Sequence, residues 1–180
     1  MSKQAKDIKD IWSRFTTGVS VITTNEEIHG SFDSVGRATG EGSPGLLVHG
    51  MTANALCSVS VEPPLLLLSV GVSRKSKRLI ENTNRFGVNF LNTLQIKIAA
   101  HFSTSDSVLD ESEGLNYWYT AFGTPMIASS LAYIDCNVVN QFAVADHVIF
   151  IAEAEHFELG QGEPLVYYER GYTRLDDQDD

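Results

Sequence analysis

Hydrophobic positions recur along this chain with two different periods, and the changes between them mark out the elements. Near the start, Ile8, Ile11, Trp12 and Phe15 fall at i, i+3, i+4 and i+7, which predicts an amphipathic helix packed onto the core by that stripe. Gly18 stands where a C-terminal cap is expected, and Val19 to Thr24 then reads as a first strand. Leu65 to Val70 is an almost unbroken apolar run bounded by Pro64 and Gly71, which predicts a strand buried on both faces. Leu79 and Ile80 belong to a short helix that Asn82 to Asn84 ends. Phe86, Val88 and Phe90 alternate with Gly87 and Asn89, the pattern of a half-buried strand. Gln95 to Phe102 reads as a further helix, and Ser103 to Gly114, polar and acidic, as a loop.

The last third is β-rich. The runs LAYIDCNVVNQ and HVIFIAEAEHFEL, joined by FAVAD, predict a long antiparallel hairpin, and Leu165 to Tyr168 with Tyr172 a final short strand. Asp176 to Asp180 reads as an acidic, disordered tail. The prediction is therefore one domain over residues 1–175, mainly β with flanking helices.

Between Asn25 and Gly45 the chain turns polar and glycine-rich, and Gly40, Gly42 and Gly45 spell G-x-G-x-x-G. A dinucleotide fingerprint needs a strand before it and a helix after it. Here Pro44 sits inside the motif and strand-like Leu46, Leu47 and Val48 follow, so the segment is read as a loop.

Composition narrows the function classes. The chain has 180 residues, 43% of them hydrophobic and 20% charged, which suits one soluble globular domain with a real core. A formal charge of −10 argues against a nucleic-acid polymer as partner. No apolar run approaches membrane-spanning length and the N-terminus lacks a signal-like segment. Cys57 and Cys136 lie far apart in strand-like surroundings and are expected to be buried free thiols, which fits a reducing cytoplasm. The five histidines show no metal-ligand spacing, and there is no nucleophile elbow.

One stretch carries positive chemistry. After Gly71 come Ser73, Arg74, Lys75, Ser76, Lys77 and Arg78, so four of the 13 Lys and Arg residues fall within five positions where a strand feeds a helix. Free N–H groups and the helix dipole at such a place favour an anion, a phosphate above all. The plainer reading is a solvated helix start with Leu79 and Ile80 turned inward.

The surrounding sequence, HGMTANALCSVSVEPPLLLLSVGVSRKSKRLIENTNRFGVNFLN, resembles the flavin reductase-like family, a split-barrel flavin-binding fold. The ordered motifs are G-M-T-A-N, S-V-S-x-x-P-P, S-x-K-S and R-F-G-V-N. The likeness extends from FTTGVSVITT to PLVYYERGYTRL, about four-fifths of the chain. It implies an FMN-binding split β-barrel, a homodimer, and reduction of FMN or FAD by NADH or NADPH. A flavin-dependent monooxygenase would be the partner that takes the reduced flavin.

Residue by residue, the resemblance implies that Thr52, Ala53, Asn54 and Ala55 line the isoalloxazine, with Val59 and Ser60 flanking it. It implies that Ser73, Lys75 and Ser76 hold the phosphate and that Phe102 packs near the flavin. On residue type alone, Thr-Ala-Asn is ordinary turn chemistry and Phe102 an ordinary core residue. The resemblance also implies His147 as the catalytic residue, on the nicotinamide side, within a family pattern G-D-H that here has Ala145 for the glycine. The family's Y-Y-R-G-R-Y is Y-Y-E-R-G-Y in this chain, which leaves Arg170 without a role. Two rivals remain: a flavin-binding carrier or sensor without turnover, and a split-barrel oxidase of a phosphorylated small molecule.

Overall fold

The computed structural model describes residues 3–28, 31–32, 38–40, 45–104 and 115–175. Its main sheet is antiparallel and built from β1 (Ser20–Ile28), β2 (Gly45–Ala53), β3 (Leu56–Val61), β4 (Pro64–Gly71), β5 (Arg85–Phe90), β6 (Ala132–Val144) and β7 (His147–Leu159). In space the order is β2-β1-β5-β6-β7-β4-β3. The two edge strands, β2 and β3, are thus consecutive in sequence, and only Asn54 and Ala55 separate them. Ile22, Met51, Leu66, Leu68, Val70, Phe86, Val88, Cys136, Val138, Val148, Phe150 and Ala152 share one core, against which Leu56 of β3 also packs. All seven strands therefore face a common interior. The sheet is curled into a barrel whose two edges meet at the Asn54–Ala55 turn without pairing, the split barrel expected from the resemblance.

The helices close the open places. Helix α1 spans Lys3–Trp12, α2 Lys75–Thr83 and α3 Ile96–Ser103. Ile80 of α2 enters the barrel core. On the outer face, Val21 and Val48 meet Leu91, Ala99, Phe102, Leu115, Ile127 and Leu165 in a second core beneath α3. Adjacent Val21 and Ile22 supply opposite cores because strand side chains alternate faces. Each fully buried Phe or Leu contributes roughly 2–3 kcal/mol of apolar transfer.

The local rules hold at the helix ends. Asn84 caps α2 in the left-handed region, φ 55°, its N–H bonding the Ile80 carbonyl. Before α3, Asn92 accepts from the Leu94 N–H while Gln95 reaches back to the Asn92 N–H, a capping box around a single 3-10 turn, Thr93–Gln95. The predicted hairpin is β6–β7, with Ala145 and Asp146 as its turn.

Several expectations need correction. The α1 stripe is not packed on the core: Ile11 and Trp12 are each 65% exposed and Phe15 66%. Strand β4 alternates, with Leu66, Leu68 and Val70 buried and Leu65, Leu67 and Ser69 half-buried, because only its inner face meets the barrel core. Strand β5 is buried on both faces, since it lies between β1 and β6 with the Pro125–Ile127 strand over it, and Ser20 to Thr24 of β1 are buried likewise. Its Asn89 is tolerated there because its amide donates to the Val21 carbonyl and accepts from the Ile127 N–H. Cys57 is exposed on edge strand β3, whereas Cys136 is buried, and burial pushes its thiol up out of the reactive range. The 25–45 segment is not wholly a loop: Asn25–Ile28 continues β1 and Gly45–Val48 begins β2 in unbroken register. The Ser103 end of the predicted loop is the last residue of α3. Residues 41–44, 105–114 and the 176–180 tail lie outside the described residues.

Candidate cofactor site

The free edge of β2 carries the site. As the outer strand of its sheet, β2 leaves backbone polar groups unpaired along one side. Two hollows lie along it. The first, about 50 Å³, is walled by His49, Gly50 and Met51 of β2 together with Ser73, Arg74, Lys75, Ser76 and Thr104. The second, about 190 Å³, is walled by Thr52, Ala53, Asn54, Val19, Ser103, Tyr167 and Tyr172. Consecutive residues of one strand thus serve both, and their centres are separated by roughly 10 Å of extended chain.

The smaller hollow sits at the start of α2. Arg74 occupies the cap position with extended backbone, φ −77° and ψ 137°, and its side chain makes no capping bond. No side chain therefore caps the first-turn N–H groups of α2 beside the hollow, and that of Lys77 bonds the Arg74 carbonyl. Ser76 is buried, its hydroxyl 2.8 Å from His49 Nε2. Lys75 Nζ lies 2.6 Å from a Glu26 carboxylate oxygen, and Lys77 is paired with Glu81 at 2.8 Å. Among the described residues Arg74 and Arg78 make no ion pair. Hydroxyls, cations and an uncapped helix start adjoin one another, a donor set with the chemistry of an anion seat.

The larger hollow sits at the barrel's seam. Thr52 Oγ1 donates to the Ala99 carbonyl at 2.7 Å, which ties β2 to α3. The Asn54 amide donates to Thr17 Oγ1 at 3.2 Å, and Asn54 itself is exposed. Ala55 contributes its carbonyl, which accepts from the Ser69 N–H and links the turn to β4. A third hollow of about 290 Å³ adjoins across Asn54, walled by Phe15, Thr17, Gly18, Ser20, Leu56 and Phe90. The Thr-Ala-Asn turn therefore stands between two cavities with polar rims and partly aromatic walls.

Not every predicted residue converges there. Val59 is the bulged residue of β3, between Ser58 and Ser60, and it projects half-exposed on the far side of the seam. The Ser60 hydroxyl is occupied by the Pro63 carbonyl. Phe102 lines neither β2 hollow: it is fully buried in the outer core, its ring so close under Gly50 that a Cβ there would stand 2.5 Å from it. Gly50 is thus the one residue type that lets Phe102 support the strand floor.

His147 opens β7, exposed, opposite Gly71 in register, with its Nδ1 2.8 Å from Asp146. That hydrogen bond holds the Asp146 carboxyl below the usual carboxylate range. His147 is therefore beside the anion seat rather than beside the Thr-Ala-Asn turn. The Ala145 before it adopts φ 51°, the left-handed conformation that glycine takes without strain.

Sequence reasoning missed Tyr167 and Tyr172, which face each other edge-on with centroids 5.7 Å apart in the wall of the larger hollow. Burial raises the Tyr172 phenol above its ordinary value, and Tyr167 adds to this. The aromatic cluster was visible in the chain, but nothing local tells that the last hairpin, Val166–Tyr168 with Gly171–Thr173, pairs through Thr17–Gly18 and so reaches the seam. Glu169 and Arg170 form that hairpin's turn, both with positive φ. Arg170 is ion-paired with Asp10, and Glu169 with Arg14 at 2.6 Å, so the altered turn binds α1 and its following turn.

Comparison with known proteins agrees with this geometry. The model of the flavin reductase like domain matches residues 12–176. An NADH-dependent flavin reductase from Rhodococcus sp is 30% identical over 91% of this chain and 82% of its own. The reductase component of 4-hydroxyphenylacetate 3-monooxygenase from Thermus thermophilus is 31% identical over 93% of this chain and 94% of its own. Among solved structures, the Streptomyces globisporus C-1027 NADH:FAD oxidoreductase SgcE6, in complex with NAD and FAD fragments, superposes with a TM-score of 0.78 at 26% identity, covering 99% of this chain and 96% of that one. The motifs, the split barrel and these likenesses lead to one conclusion: the chain belongs to the flavin reductase-like domain family.

Proposed function

We propose that this protein is an NAD(P)H-dependent flavin reductase, passing a hydride from nicotinamide to FMN or FAD and supplying reduced flavin to a partner monooxygenase. The observation that carries the reading is the continuity of the β2 edge, which runs from an anion seat to a roomier, partly aromatic hollow at the seam. The residues fit a flavin: Ser73, Arg74, Lys75 and Ser76 suit a phosphate, and Thr52, Ala53 and Asn54 offer small side chains and backbone polar groups to a flat ring, while Ala55 lines neither hollow. When bound, flavin and nicotinamide supply the redox chemistry themselves, hydride moving from C4 to N5.

The chain's own work is binding and exclusion. The seat anchors the phosphate through charge-assisted hydrogen bonds. Asn54, steadied by Thr17, orients the polar rim of the ring, and Tyr167 and Tyr172 wall it from water. We place His147, held by Asp146, at the rim as a contact for the nicotinamide nucleotide, with no proton step required of it. We also propose a homodimer, because Ile11, Trp12 and Phe15 are exposed, with Phe15 in the wall of the third hollow, and leave an apolar surface that a second copy would cover.

The test is anaerobic absorbance at the flavin band with purified protein, FMN or FAD, and then NADH or NADPH. Bleaching with turnover is the expected result, whereas binding without bleaching by either nucleotide favours the carrier reading. Replacing both Lys75 and Ser76 by alanine weakens FMN roughly tenfold or more relative to riboflavin. Equal losses for both flavins would remove the phosphate role.

A further inference from the structure

The anion seat carries its own counter-anion. Glu26 lies on the extension of β1 beyond Thr24, inside the polar stretch that has no counterpart role in the reading above. Its carboxylate stands 2.6 Å from Lys75 Nζ, with the two side chains 16% and 25% exposed, so solvent screens the pair only in part. Glu26 is not in the wall of the hollow, whereas Lys75 is. Glu26 therefore acts from behind, through the lysine. The other lysine of the helix start, Lys77, is engaged by Glu81. Arg74 is left as the unpaired cation of the wall, among first-turn N–H groups.

This arrangement discriminates by charge. FMN ends in a phosphomonoester that carries nearly two negative charges at neutral pH, as any such group does. FAD presents a pyrophosphate whose two phosphoryl groups carry one charge each, and riboflavin presents none. A monoester on Lys75 either pulls the ammonium from Glu26, leaving a half-buried carboxylate unpaired, or sits as a dianion close to that carboxylate. The phosphoryl group of a pyrophosphate that sits on Lys75 carries a single charge, the second charge lying one phosphorus further away, and meets a smaller repulsion there. Resting on the flavin reading of the seat, we infer that Glu26 is a positioning residue that sets flavin specificity. By holding Lys75, it disfavours a dianionic monoester and turns the seat toward flavins bearing a pyrophosphate, of which FAD is the chemical example. The β1 extension thereby gains a task, since it is the part of the chain that brings Glu26 to α2.

The experiment is a set of binding titrations of FMN, FAD and riboflavin to the full chain by flavin fluorescence quenching. They are run on the wild type, Glu26→Gln, Glu26→Asp and Lys75→Ala. The wild type binds FAD more tightly than FMN, and Glu26→Gln tightens FMN by roughly tenfold, changes FAD less and leaves riboflavin unchanged. Glu26→Asp, which keeps the charge, restores the wild-type order. A merely structural role would move all three flavins together. Wild-type FMN binding as tight as FAD overturns the inference without any variant. So does an unchanged FMN to riboflavin ratio in Glu26→Gln. In that second case Lys75→Ala separates the failures: a fall in the ratio keeps the seat and removes only Glu26, while no change removes the seat as well.

Discussion

Ala145 shows how a single residue can be read correctly and still cost the chain something. It occupies the turn between β6 and β7 with φ 51°, where the Cβ crowds the following carbonyl and the penalty is about 1 kcal/mol. Ala145→Gly is expected to stabilise the protein by about 1 kcal/mol, measured as a higher urea midpoint with unchanged slope. The Asp146–His147 hydrogen bond should survive, because the backbone keeps its course. The substitution was legible as a departure from a pattern, since A-D-H stands where G-D-H is usual. Its backbone consequence was not, because alanine carries no sign of the conformation it is forced to adopt. The same limit explains His49 and Glu26. Neither has a local signature, and each matters only because β2 or β1 runs alongside α2.

Among the elements, the pairing of the Tyr117–Tyr119 and Pro125–Ile127 strands hangs on one buried carboxylate. Asp135 is 1% exposed and accepts from Thr120 at 2.6 Å, Thr124 at 2.7 Å and Arg85 at 2.8 Å. Arg85 also bonds Glu155 at 2.7 Å and lies 4.5 Å over the Phe122 ring. Burial alone would lower the Arg85 guanidinium, but its bonds to Glu155 and Asp135 outweigh burial and raise it. Asp135→Ala leaves two buried hydroxyls without their acceptor and the half-buried Arg85 with Glu155 as its remaining carboxylate, and is expected to destabilise by about 3 kcal/mol in denaturant unfolding. Strands and helices were legible at this scale wherever side-chain periodicity is strong: β7 fills its predicted run, β6 runs on past Gln141 to Val144 through the predicted connector, and α3 ends one residue past Phe102. The network was not, because Asp135 sits in a strand-like run and its partners come from residues up to 50 positions away. Likewise α1 shows a clear apolar stripe, but periodicity says only that a face is apolar, not what covers it.

At the scale of the molecule, that stripe bears on assembly. With Ile11, Trp12 and Phe15 exposed next to the seam, sedimentation should give a dimer. Trp12→Ser together with Phe15→Ser should shift the protein toward monomer and weaken flavin binding with it, since the third hollow shares Phe15 and Asn54. No described helix is long and apolar enough to cross a membrane. The split itself has a consequence in time. Local hairpins such as β6–β7 form with little loss of chain entropy, because their partners are near in sequence. The Asn54–Ala55 turn tethers the two edges from the start, but the other walls of the seam hollow, Val19, Ser103, Tyr167 and Tyr172, come from elements far apart in the chain and are in place only when those have docked. The cofactor site is therefore assembled late in folding and lost early in unfolding, and the capacity to hold flavin reports on completion of the whole barrel.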